Sequence, residues 1–265
     1  MYTMKESDLI FYQIEDKTTK IRFECVVGRG ITFEFPFHIH HSLCIGMITG
    51  GMRRITFPEN EICVHENELF VINPLQLHAI RQQYSHDYIA ITVKGLTDYP
   101  VFEPHIQTIQ CKHLFINVLN AIQHADLKIL TSVWDKLFAY LCRYHCKKIA
   151  PTATNAIMEK TMAYISANYQ HPIKVSDLAK YNCMSVFHFC RVFKSMTGMS
   201  PHNYLIQYRL SMSRKSLQVN ESIFNAAIDA GFYDSSHLIR NFYKYMALSP
   251  ESYRLSILKK SKIIQ

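Results

Sequence analysis

No stretch of this 265-residue chain approaches the roughly 18 apolar residues of a membrane-spanning helix. The opening residues, MYTMKESDLIFYQIEDK, lack the basic segment and apolar run of a secretory signal, so the chain is expected in the cytosol. A cysteine framework is missing too. Cys25, Cys44, Cys63, Cys111, Cys142, Cys146, Cys183 and Cys190 are scattered over a chain of ordinary size, which fits reduced, mostly buried thiols. Cys142 and Cys146 flank His145 closely enough to share a metal, but no second Cys/His pair completes a tetrahedral site, and none is expected. Disorder is excluded by 48% hydrophobic and 12% aromatic content. Net charge is absent from the first 154 residues, which hold 15 basic and 15 acidic side chains. The whole excess of +8 therefore lies from Asn155 onward, where 14 basic residues meet 6 acidic ones. That asymmetry points to a neutral module followed by one that binds a polyanion, although a basic count alone is equally consistent with a solvated face.

The length suits two domains at about 100 to 200 residues each. From Phe11 to about Val93, short apolar or alternating runs (IRFECVV, ICVHE, ELFVI, DYIAITV) alternate with turn-prone pieces (GRG, TGG, PEN, NPLQ). This is the pattern of an antiparallel sheet, sandwich or barrel. Past Pro100 to Pro104 the period changes to 3 and 4. The segment from His105 to Ile149 reads as two amphipathic helices that pack on the β domain or on a partner subunit. APTATN, Ala150 to Asn155, is the linker candidate.

The rest of the chain contains a repeat. A shift of 49 residues places His188 on His237, Arg191 on Arg240, Phe193 on Phe242, Ser200 on Ser249, Pro201 on Pro250 and Tyr204 on Tyr253. Each copy is punctuated as helix, tight turn, helix. In the first, Ser176 is expected to cap DLAKYNC and Ser185 to cap VFHFCRVFKSMT, which Gly198 ends. In the second, Gly231 stops ESIFNAAIDA and Asp234 caps SSHLIRNFYKYM. Both copies then open another helix with Ser-Pro.

Helical spacing turns Phe189, Val192, Phe193 and Met196 inward in the first capped helix, and Leu238, Phe242, Tyr245 and Met246 inward in the second. Val186, Phe187, Cys190, Arg191 and Lys194 then face outward, as do Ser235, Ser236, His237, Arg240 and Lys244. An arginine one turn into a helix that enters the major groove can reach guanine O6 and N7, and a lysine behind it can reach phosphate. Repetition of the arginine on capped helices within the basic module favours groove binding over solvated decoration.

These segments, VSDLAKYNCMSVFHFCRVFKSMTGMSPHNYLIQYRL and IFNAAIDAGFYDSSHLIRNFYKYMALSPESYR, resemble the AraC/XylS family of bacterial transcription regulators over roughly Met158 to Leu255. The resemblance implies a seven-helix domain in which two helix-turn-helix units, joined by a long helix (HNYLIQYRLSMSRKSLQ), enter successive major grooves. It makes Phe187, Cys190 and Arg191, then Ser235, Ser236, His237 and Arg240, the base-contacting positions, with Lys194 and Lys244 beside them. Phe187 and Cys190 are poor hydrogen-bond partners, so apolar contact and shape readout are expected there. Ser213, Ala226, Leu238 and Ala247 depart from the family's usual residues, and the departures read as packing changes.

FPFHIHHSLCIGMITGGMRRITF and ENELFVINPLQLHAI likewise resemble the family's cupin-like sensor, with Asn67 and Gln76 where glycine is usual. Asn tolerates the left-handed turn, whereas Gln76 implies a different loop. His38, His40 and His78 stand where cupins supply metal ligands, but Leu43, Cys44 and Ile45 replace the usual glutamate, so a metal-free pocket is expected. Phe33, Phe35, Phe37 and the three histidines are its candidate walls. The expected fold is two-domain α+β. Residues 1–100 form a cupin-like antiparallel β-barrel that senses an effector, 101–149 a helical dimerisation region, 150–156 a linker and 157–258 an all-α domain with two helix-turn-helix units. The implied partners are double-stranded promoter DNA, RNA polymerase, a small effector and a second copy of the chain, with no cofactor, metal or membrane. The competing readings are a metal-dependent cupin enzyme with a basic tail, which leaves the repeat without a role, and a nucleoid-like binder without an effector.

Overall fold

The fold is given by a computed structural model that describes residues 9–15, 21–81, 84–96, 100–147 and 155–261. They divide into two compact units, the strands with the two helices that follow them and the later helices, with Phe35–His38 grouped with the latter. Most of the expected linker, residues 150–154, lies outside the described residues.

The strands are β1 (Leu9–Glu15), β2 (Arg22–Ile31), β3 (Phe35–His38), β4 (Leu43–Gly50), β5 (Met52–Thr56), β6 (Glu61–His65), β7 (Leu69–Ile72), β8 (His78–Arg81), β9 (His86–Lys94) and β10 (His105–Ile106). They build a six-stranded sheet in the order β1-β2-β9-β4-β7-β10 and a four-stranded sheet in the order β3-β8-β5-β6. Pairing is antiparallel from β1 with β2 through to β7 with β10. Both faces of the larger sheet are covered, which is why LCIGMITG of β4 reads as one apolar run instead of an alternation.

Ile45, Met47, Ile91 and Val93 face α1 (Ile109–Gln123) and α2 (Leu127–Tyr144), whose Phe115, Leu119, Trp134, Leu137 and Leu141 complete one core with them. Trp134 meets Phe23 edge-on at 5.4 Å. Burying each such side chain contributes about 1.5 to 3 kcal/mol. The stripes of both helices are thus covered by the sheet of their own chain. On the opposite face of that sheet, Phe70 and Tyr88 meet Arg53 of the smaller sheet. Gly46 makes this possible, because a Cβ there would lie 2.1 Å from the Phe70 ring.

One local reading is corrected. The segment beginning at His105 opens as strand β10, held by bonds from His105 Nε2 (2.8 Å) and Gln107 Nε2 (2.7 Å) to the Glu68 carboxylate, and becomes helical only at Ile109. Asn67 takes the expected left-handed φ of 69°, and the next turn is the different loop that Gln76 implies, with Leu75 the left-handed residue at 61°. There the Gln76 side chain accepts from the Asn73 backbone N–H at 2.9 Å.

The second unit holds α3 (Asn155–Asn168), α4 (Val175–Tyr181), α5 (Val186–Thr197), α6 (Pro201–Gln218), α7 (Ile223–Asp229), α8 (Ser235–Met246) and α9 (Pro250–Ser261). Helix α4 starts two residues earlier than its Ser176 cap would place it. Asp177 reaches back to the Lys174 N–H at 3.0 Å, and Lys174 becomes the capping position.

Candidate DNA-binding surface and ligand-binding interior

Helices α5 and α8 start and stop by the same means. Ser185 Oγ accepts from the His188 N–H (3.3 Å) and Asp234 Oδ1 from that of His237 (2.6 Å). Both helices end on left-handed residues, Gly198 at φ 72° and Ala247 at φ 59°. Ala247 is therefore more than a packing change: its Cβ is held in a conformation that disfavours L side chains. Of the inward stripes, Phe189, Phe193, Leu238, Phe242 and Tyr245 are buried, while Val192, Met196 and Met246 are only half-buried.

On the outer faces Phe187, Arg191, Lys194, Ser236, Arg240 and Lys244 are exposed, and Cys190, Ser235 and His237 are half-buried. Phe187, 77% exposed, is an aromatic ring left in solvent at the start of α5. Arg191 Nη2 lies 3.4 Å from His188 Nδ1, one turn back toward the N-terminus of the same helix. His237 packs edge-on against Phe232 at 5.3 Å, and burial, reinforced by the charge of Arg240, lowers its pKa, so the ring offers a neutral donor and acceptor.

Not every basic residue of this unit is available to a polyanion. Arg209 is buried on α6, where Nε donates to the Tyr169 carbonyl (2.9 Å) and Nη2 to that of His171 (2.8 Å). Gly231, φ 81°, fits against this clamp, since a Cβ there would lie 2.2 Å from the Tyr169 carbonyl. Arg254 is bound by both Glu251 oxygens (3.0 and 2.6 Å) and by Asn220 Oδ1 (2.6 Å).

Among the candidate pocket residues, Phe33 and Phe35 are half-buried and Phe37 is exposed. His40 and His78 face one another with ring centroids 4.8 Å apart. Ligand atoms of His38, His40 and His78 all lie within 4.8 Å of one another, the one such group of three among the described residues. Backbone carbonyls of Pro36 and Gln76 lie 2.7 and 2.9 Å from Nδ1 of His38 and His78, so each ring carries its proton on Nδ1 to donate to that carbonyl. Cys142, His145 and Cys146 form no comparable group among the described residues, and His145 Nδ1 instead faces Glu103 at 3.3 Å.

Sequence reasoning passed over Arg53. The alternation of MRRIT places it on the face of buried Ile55, and it is itself 5% exposed. Its guanidinium sits 3.9 Å from the Tyr88 ring centroid and 5.2 Å from that of Phe70, and Nε has no hydrogen-bond partner. Beside it His86, 2% exposed, stacks on Tyr88 at 5.7 Å.

The AraC-like ligand-binding domain model matches residues 20–124, and a helix-turn-helix domain model matches 178–256. The HTH-type transcriptional regulator YdeC of Bacillus subtilis is 24% identical over 91% of this chain and 94% of its own. YdiP of Escherichia coli, also an HTH-type transcriptional regulator, is 24% identical over 84% of this chain and 82% of its own. Among solved structures, ToxT of Vibrio cholerae with an unsaturated fatty acid bound shares the fold at a TM-score of 0.61 and 12% identity, covering 94% of each chain. Ligand-binding strands ahead of two capped, arginine-bearing helix-turn-helix units complete the pattern: the chain belongs to the AraC family of transcriptional regulators.

Proposed function

We propose that this regulator binds asymmetric promoter sites as a homodimer in the cytoplasm and activates transcription through RNA polymerase when a small organic effector occupies its N-terminal domain. The observation that carries the reading is the exposure of Arg191 and Arg240 at equivalent positions of two capped helices. In this account Arg240, with Ser235, Ser236 and His237, supplies polar base contacts. Phe187 and Cys190 meet thymine methyl groups, and Lys194 and Lys244 hold phosphate. The effector acts by binding the active and inactive arrangements with different affinity. Promoter gel shifts across a salt series test this. Arg240→Ala should cost about 1 to 3 kcal/mol on the cognate site and relax preference at one base pair. Lys194→Ala should weaken all sequences alike and reduce the salt slope by about one. Unchanged discrimination in Arg240→Ala removes the base-reading role.

One observation favours a second reading, a metal-loaded cupin: the convergence of His38, His40 and His78. Elemental analysis of the purified protein separates the two. A stoichiometric transition metal lost in both His40→Ala and His78→Ala supports the metal reading, and metal-free protein that still responds to effector supports the first.

A further inference from the structure

Among the described residues, the interior of the N-terminal unit holds a cation with no acid beside it. Arg53 descends from β5 onto the rings of Tyr88 and Phe70, and those rings lie close against the larger sheet because Gly28 and Gly46 have no Cβ to block them. The polar groups near its charge are the Tyr88 hydroxyl and the Cys44 thiol, and among the described residues no carboxylate pairs with it. The Ile31 backbone, which the strand pairing sets opposite His86, lies near its ring, and no well-aligned hydrogen bond reaches either ring nitrogen among the described residues. Burial and the charge of Arg53 hold this imidazole neutral, with a pKa of about 3.

A buried guanidinium without a counter-charge is costly, and cation–π contacts offset only part of that cost. Its planar fork matches the two oxygens of a carboxylate. A neutral imidazole next to it can donate one further N–H. The surroundings are apolar, with Ile48, Ile55 and Ala90 buried on the same faces. One cation neutralises one negative charge, which favours a monoanion over a phosphate dianion.

We propose that Arg53 and His86 anchor the acid group of the effector, which is a small carboxylate with an apolar body bound between the two sheets. The inference rests on the reading of this domain as ligand-binding and names the class of ligand.

The test uses full-length protein, with octanoate, benzoate, octanol and inorganic phosphate as probes in thermal shift and calorimetry. A carboxylate should raise the Tm of the wild type while octanol does not. Arg53→Met should weaken that binding roughly tenfold to a hundredfold, the loss expected for a charge-assisted hydrogen-bonded pair. Without ligand, Arg53→Met should melt at or above the wild-type Tm, because the unpaired cation is gone. If Arg53→Met does not fold, Arg53→Lys keeps the charge but not the fork and should weaken carboxylate binding by a smaller factor.

Equal binding of octanol and octanoate, in wild type and variant alike, overturns the acid anchor and leaves a ligand-binding domain standing. A phosphate response without a carboxylate response overturns the carboxylate assignment. No response to any probe overturns the anchor, while promoter binding, measured separately, still reports on the regulator.

Discussion

The ring of Phe193 meets that of Tyr204 edge-on at 5.6 Å. Forty-nine residues later Phe242 meets Tyr253 at 5.5 Å. The repeat in the sequence is thus a repeat of packing: each outward-reading helix is pinned to the helix after it by the same aromatic pair. Phe242→Ala should cost about 3 to 5 kcal/mol in urea unfolding, because the site is fully buried and closes poorly over the loss. Tyr253→Phe keeps the ring contact but loses the bonds to Arg214 Nε (3.3 Å) and Gln218 Nε2 (2.9 Å). It should cost roughly 0.5 to 1.5 kcal/mol.

Ala247 ends α8 with φ 59°, where Gly198 ends α5 with φ 72°. Ala247→Gly should therefore stabilise the protein by about 0.5 to 1 kcal/mol, since the relief of left-handed strain exceeds the added freedom of the unfolded chain. Denaturant midpoints of the two proteins check this, and a lower midpoint for the glycine variant contradicts it.

Two glycines with left-handed backbones should respond differently to alanine. Gly231→Ala forces a Cβ into the Tyr169 carbonyl and the Arg209 clamp, whereas Gly30, φ 61°, has nothing within 4 Å of the added carbon. The first substitution should cost about 3 kcal/mol or more and the second only the strain, about 1 kcal/mol. Thermal melts of both variants compare them directly.

Acid should destabilise the N-terminal unit over two overlapping windows. His86 titrates near 6.5 when unfolded and near 3 when folded, so between those values the unfolded chain binds more protons and stability falls as pH falls. Glu68 behaves in the same direction over a lower range. Burial alone would raise its pKa, but donors from the His65 backbone, His105 and Gln107 hold it at about 2, so its contribution is full above 4.5 and is lost on the way down to 2. In pH-dependent unfolding, His86→Leu should flatten the slope above pH 4.5 and Glu68→Gln the slope below it.

Most of the architecture is legible in the sequence because local signals agree with tertiary demand. Ser185, Asp234 and Ser200 cap the helices they announce, and the change of period past Pro104 marks where strands give way to helices. The failures share a cause, a partner from outside the window being read. Asp177 outbids Ser176 through a bond back to Lys174, and Glu68 draws His105 into a strand. Phe232 half-buries a histidine that helical spacing turns outward. Arg209 counts as one more basic residue until the Tyr169 and His171 carbonyls are seen to hold it inside. Arg53 was readable from its alternation with Ile55, but nothing local shows that no carboxylate among the described residues faces it.

The central claim is that α5 and α8 read DNA together. Selection of bound duplexes from a randomised pool tests it most directly. The account predicts a bipartite motif whose two elements lie about 10 base pairs apart, one turn of the duplex, with Arg191→Ala erasing preference in one element and Arg240→Ala in the other. Enrichment no greater than background, or a single motif indifferent to both substitutions, would contradict it.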